Sequence, residues 1–182
     1  YDQASITTGI ASAGSYVFAA NGLFDPDITS TGHQPMGFDQ LMLMYNHYTV
    51  LSSKITVWAR NNSATEHVQF AVATYAEATT LTVPGRIVEN GKLNYSILNP
   101  QPNNGSCKRY MRNVDIAKFM GQKEIMSEDD YRGDVAANPV ELVYHDLIAW
   151  NLNPGAAAGT VTFDILIEYQ AVFWEPRKLT QS

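Results

Sequence analysis

The stretch TVTFDILIEYQAVFW, residues 160–174, alternates almost without a break. Val161, Phe163, Ile165, Ile167, Tyr169, Ala171 and Phe173 fall on one face. Thr162, Asp164, Glu168 and Gln170 fall on the other. Side chains two apart share a face only in a strand, so this is a long strand with one side in a core. KITVWAR (54–60), HVQFAVATY (67–75) and KLNYSIL (92–98) repeat the pattern. In the last of these, Leu93, Tyr95 and Ile97 alternate with Asn94 and Ser96. VELVYHDLIAW (140–150) is a near-continuous β-prone run, and SYVFAA (15–20) and KRYMRNVDI (108–116) are weaker candidates.

Gly-, Pro- and Asn-rich breakers such as LFDPDITSTG, NNSATE, NPQPNNGS and NPGAAAG separate these runs. Helical spacing is confined to FDQLMLMY (38–45), IAKFMG (116–121) and PGRIVENG (84–91). No internal repeat or linker interrupts residues 1–182, which read as a single domain. Many strands, few helices and long connections at 21–37 and 121–139 predict an all-β sandwich. At this length it is an eight-stranded antiparallel jelly roll of two four-stranded sheets with short helices in its loops.

Charged residues are 16% of the chain, well below the usual quarter, and the formal net charge is −6. The surface is therefore polar and uncharged, or partly covered by partners. The charge argues against a broad basic surface for nucleic acid. A single cysteine, Cys107, rules out an internal disulfide. No apolar run reaches the ~20 residues of a membrane span, and no signal-peptide pattern opens the chain, so a soluble intracellular product is expected.

Catalytic patterns are missing: GxSxG, the phosphate-binding GxxxxGK[ST] loop, GxGxxG before a helix, and HExxH. His33, His47, His67 and His145 are widely spaced, without the HxH of a cupin metal site, so no enzyme is expected. Loop carboxylates in DPD (Asp25, Asp27) and SEDD (Asp129, Asp130) have the chemistry of a Ca²⁺ site and equally that of solvated turns. A cation there would bridge subunits rather than catalyse, and no other cofactor is implied. Lys108, Arg109 and Arg112 cluster on one strand with Tyr110 between them. That pattern can contact phosphates and stack bases, or serve as a solvated strand edge. Trp58 shares its face with Lys54 and Arg60, and Leu166, Val172 and Trp174 share theirs with Asp164 and Glu168. Large apolar groups on a wet face predict contact with another loop or another copy.

The most distinctive stretch is LFDPDITSTGHQPMGFDQLMLMYNHYTVLSSKITV, residues 23–57. Its GHQPxGFDQ run (Gly32, His33, Gln34, Pro35, Gly37, Phe38, Asp39, Gln40), followed by Tyr45, Tyr48 and Val50, resembles the capsid proteins of circovirus-like small circular single-stranded DNA viruses. Related motifs occur in satellite plant viruses and small RNA viruses of the same fold, so the resemblance is compatible with a DNA or an RNA genome. The resemblance implies strands B to I, with 15–21 as B, 46–60 as C, 67–77 as D, 92–98 as E, 106–115 as F, 140–152 as H and 160–174 as I. Strand G is expected within 121–135. It implies an Arg/Lys-rich arm ahead of Tyr1 that faces a single-stranded genome. It also implies a virion of about sixty identical subunits in the simplest closed shell (T=1), assembled inside a host cell, with a host receptor and no membrane as partners.

The stretch also has a physical reading. Pro35 holds Gln34 extended and Gly37 permits a sharp bend. Asp39 complements the first turn of a short helix, and Phe38, Leu41 and Tyr45 recur at helical spacing to pin it. His33, Gln34, Pro35, Phe38, Asp39 and Tyr45 thus form a structural corner, a surface for a neighbouring subunit, or both. Exposed aromatics beside Asn and Asp loops leave a carbohydrate-binding or trimeric receptor-binding jelly roll as the alternative.

Overall fold

A computed structural model describes residues 3–29, 32–90, 93–101 and 103–178. In chain order they form β1 (Gln3–Thr7), β2 (Gly14–Ala19), α1 (Phe38–Met42), β3 (Tyr45–Asn61), β4 (Val68–Tyr75), α2 (Pro84–Glu89), β5 (Leu93–Leu98), β6 (Cys107–Asp115), α3 (Ile116–Met120), a 3-10 turn (Asp129–Tyr131), β7 (Tyr144–Asn151) and β8 (Thr160–Pro176). The strands make two four-stranded sheets, ordered β1-β8-β3-β6 and β2-β7-β4-β5. The pairing nests: β1 lies beside β8, β2 beside β7, β3 beside β6 and β4 beside β5. That is an antiparallel ribbon rolled on itself, the wiring of a jelly roll.

The resemblance implies an eighth strand in 121–135; the described residues do form eight strands, but none lies there. Among the described residues that stretch holds the 3-10 turn and one isolated bridge, Tyr48 to Gly133. The extra strand is β1, so the letters move by one: residues 14–19 are strand C, 45–61 D, 68–75 E, 93–98 F and 107–115 G. QASIT is too short to announce itself by alternation. Its pairing with β8 specifies it, by seating Ile6 opposite Val161 and Ala4 opposite Phe163. The helix in 38–45 stops at Met42, and Tyr45 already belongs to β3. Gly91 and Lys92, expected to close α2 and open β5, lie outside the described residues.

The chain divides into two compact units. The first holds Tyr1–Val17, Ile55–Arg112 and His145–Ile167. In its core Phe70 of β4 meets Tyr110 of β6 and Phe163 of β8, with ring centroids 5.0 and 6.2 Å away, and Tyr16 of β2 stands edge-on to Phe163 at 5.8 Å. A second cluster joins Ala71 and Ala73 of β4 to Ile148 and Trp150 of β7 and Ile87 of α2. Strands β4 and β7 are therefore covered on both faces, which explains the near-continuous β-prone run, but β7 begins only at Tyr144, and the expected first residues Val140 and Glu141 are exposed outside the strand. In β5 the buried face is the reverse of the expected one. Leu98 is buried and Ser96 meets the Tyr110 hydroxyl at 2.7 Å, while Tyr95 and Ile97 stay exposed, Tyr95 beside Trp150.

The second unit holds Phe18–Lys54, Asn113–Tyr144 and Glu168–Ser182. Its core gathers Leu23, Phe38, Met42, Tyr48, Val50, Ile116, Ile125, Tyr131 and Val143. Helix α3 starts where the Asp115 carboxylate accepts the Lys118 N–H at 2.9 Å, an ordinary N-cap.

Candidate functional site

In the second unit, Gly37 takes φ +86° and turns the chain into α1. Phe38 and Met42, four apart on one helical face, are fully buried. Phe38 packs edge-on against Tyr48 at 5.4 Å. Met42, not Leu41, is thus the second anchor. Tyr45 is half-buried and lies 6.3 Å from Phe173. Asp39 stands in the first turn and is exposed, as is Met36 before it, while His33, Gln34 and Pro35 line the approach to the bend. The Pro35 carbonyl accepts the Phe38 N–H at 3.1 Å, closing the bend.

The wet side of this corner carries several large apolar side chains beside the exposed Asp39 and Gln40. Met36 is 101% exposed, Leu43 71%, Met44 49% and Leu41 36%. Leu41 is exposed because a five-residue helix can bury only one stripe, and Met36, Leu43 and Met44 flank the helix at its two ends.

Tyr48 ties the corner to two loops. Its hydroxyl accepts the Leu23 N–H at 3.1 Å and donates to Asn138 Oδ1 at 3.2 Å. Burial pushes its pKa up to about 12. Asn138 Oδ1 also accepts the N–H groups of Phe24 and Asp25, and its Nδ2 donates to the Asp25 carbonyl. Gly133 sits so close that a Cβ there would fall 2.2 Å from the Tyr48 ring.

The four loop carboxylates do not assemble. Asp25 is held above the usual carboxylate range by burial and then by Asp27. Asp27 Oδ1 accepts the backbone N–H and hydroxyl of Thr29 at 3.0 and 2.7 Å. Asp129 pairs with Arg132, and Asp130 is exposed. Among the described residues no group of three or more His, Cys, Asp or Glu side chains is gathered as a metal site.

The basic residues of β6 lie in the first unit, and strand alternation separates them. Tyr110 is buried in the core, with burial raising its hydroxyl pKa, so it offers no face to a base. Lys108 and Arg112 share its side of the strand and are half-covered, and Arg112 Nε donates to Thr74 Oγ1 at 3.0 Å. Arg109 points the other way, over the Trp58 ring of β3, 5.5 Å from the centroid. Trp58 is 38% exposed and Arg60 beside it is exposed. The signal for this grouping was the shared face of Trp58 and Arg60; the missing piece was that β6 lies next to β3.

Trp174, the other aromatic on a nominally wet face, is covered by its own chain. The Arg132 guanidinium lies 4.5 Å above it, His47 packs at 5.2 Å, and its Nε1 donates to Thr49 at 3.2 Å. Among the described residues no helix is long and apolar enough to cross a membrane.

The chain matches no family model and no curated protein sequence. Among solved structures it is similar to one of Desmodium yellow mottle tymovirus, at 8% identity and TM-score 0.41, covering 99% of this chain and 89% of that one. It is also similar to one of the Cowpea mosaic virus top component, naturally occurring empty particles, at 8% identity and TM-score 0.43, covering 99% and 91%. At this identity and these TM-scores the likeness bears on no functional conclusion.

Proposed function

We propose that the chain is a structural coat subunit that assembles with identical copies into a small closed shell around a single-stranded nucleic acid. The observation that carries this reading is the corner at residues 32–45. Phe38 and Met42 fix it from below while Met36, Leu41, Leu43 and Met44 stand in water. An apolar patch held this firmly is stabilised by covering it, and a second copy is the partner a coat protein supplies. The eight-stranded jelly roll, the low surface charge and the GHQPxGFDQ stretch support the same reading. The finer form we propose is a circovirus-like coat of about sixty copies, the number of the simplest icosahedral shell.

Particle sizing tests it. The purified protein, examined by light scattering and negative-stain microscopy at neutral pH, is expected to give uniform spheres of roughly tens of nanometres, as a closed shell requires. A species that stays monomeric or trimeric across salt, calcium and pH would refute the coat reading.

A further inference from the structure

We propose that the solvent-facing side of β3 and β6 around Trp58 is a stacking platform for single-stranded nucleic acid, seating a base against the stacked Trp58 indole and Arg109 guanidinium, and phosphates on Arg60 and Arg109. The identity of the ligand rests on the coat reading; the chemistry it must have comes from the residues. Trp58 keeps 38% of its surface open although its strand neighbours Val57 and Ala59 are buried. Arg109 lies 5.5 Å from the ring centroid and Arg60 follows on the same face two residues on. An indole with one guanidinium over it and a second arginine two residues on along the same strand face attracts a flat π face joined to negative charge, the makeup of a nucleotide chain. The recess beside it, lined by Trp58, Arg60, Cys107, Thr162 and Asp164, holds only about 110 Å³. That is room for a few waters at ~30 Å³ each, far below a small-molecule pocket, so the ligand lies across the sheet rather than inside it. Asp164 at the rim disfavours a second phosphate there, which confines the backbone to the Arg60–Arg109 side. With a net charge of −6 the chain as a whole repels polyanions, so one platform binds weakly and repetition in a shell strengthens it.

The experiment titrates the unassembled subunit with oligo-dT of about 20 nucleotides and follows binding by anisotropy and by protection of Cys107, the chain's one cysteine, from alkylation. Trp58→Ala is expected to weaken binding about 5- to 140-fold, the usual worth of one stacked base. Trp58→Phe is expected to retain most of the affinity, which separates stacking from misfolding. Replacing Arg60 and Arg109 by Gln is expected to reduce the slope of log K against log salt by about 1.4. Binding that ignores Trp58→Ala, or that leaves Cys107 equally reactive, overturns the platform, and so does absence of binding. Particle formation is scored separately: shells without a Trp58 effect sink the platform and leave the coat reading standing, whereas Trp58-dependent binding without shells does the reverse.

Discussion

Gly133 is a position where one added methyl group should do heavy damage. A Cβ built there lies 2.2 Å from Cζ of Tyr48 and 2.4 Å from its hydroxyl oxygen. Carbon atoms pack at ~3.5–4.0 Å, so ring or backbone must move by about 1.3 Å or more. Neither is free to do so. The two backbones exchange N–H···O bonds of 3.0 Å in both directions. The ring is wholly buried, with Phe38 at 5.4 Å and Phe173 at 6.3 Å. Overpacking of this kind costs about 1–3 kcal/mol. Pushing the hydroxyl off the Leu23 N–H strands a buried donor at a further cost of about 1–3 kcal/mol. Gly133→Ala should therefore destabilise the subunit by about 2–6 kcal/mol, a large share of the ~5–15 kcal/mol a domain possesses.

Urea unfolding of the unassembled subunit, followed by circular dichroism, measures this as a lower midpoint at unchanged m. The control is the Tyr48→Leu background. There the ring is gone, and Gly133→Ala should add less than about 0.5 kcal/mol, giving a coupling above ~1.5 kcal/mol in the double-mutant cycle. A cost below ~0.5 kcal/mol in the parent, or an equal cost in both backgrounds, would show that the close approach does not govern this position.

Other perturbations probe the corner and the buried charges. Phe38→Ala removes the larger anchor of α1 and should cost about 3–5 kcal/mol by urea unfolding. Met36→Glu with Leu43→Glu should leave that midpoint within about 0.5 kcal/mol yet abolish particles in light scattering; intact particles would reject the corner as an interface. Asp115→Ala deletes the cap of α3 and should cost about 1 kcal/mol. Asp146 is buried, and burial pushes its pKa from 3.8 up to about 7. The folded state then holds that proton more tightly, so its contribution is present below about pH 4 and is lost as pH rises through 7. Asp146→Asn should hence gain stability relative to the parent between about pH 5 and pH 8, by an amount of order 4 kcal/mol at most; a pH-independent difference would reject it. His145, pushed down to about 3 by burial and then by Arg112, acts with the opposite sign: its contribution is lost as pH falls from 6.5 toward 3.

Much of the fold was legible because a strand with one wet face writes its burial into every second residue. Strand β8 shows this best: Val161, Phe163 and Ile165 are buried, Asp164 and Leu166 exposed, as the alternation required. The pattern misled where that premise failed. In β5 the apolar set Leu93, Tyr95 and Ile97 lies on the Trp150 side, while Ser96 takes the core-facing position through its bond to Tyr110. Nothing within KLNYSIL records that β4 and β7 are covered twice. Strand β1 failed for a different reason: five residues carry too little alternation, and its identity resides in Val161 and Phe163, more than 150 residues away.

The basic residues show the same limit in the chemistry. Lys108, Arg109 and Arg112 are neighbours in sequence, yet the period of two sends Lys108 and Arg112 to the side of buried Tyr110 and Arg109 to the other. A cluster on one strand is thus divided by the strand itself, and the partners Arg109 acquires come from β3, some 50 residues earlier, because β3 and β6 are adjacent in the sheet. Trp58 and Arg60 carried half of that surface in the sequence, spaced correctly but without a reason to be joined to β6. The nesting of the jelly roll supplies the reason. Once β4 pairs with β5, the next pair outward is β3 with β6, and the outward residues of both strands must share one face. Candidate sites in such a fold are better sought by laying out the outward residues of nested strand pairs than by scanning for charge along the chain.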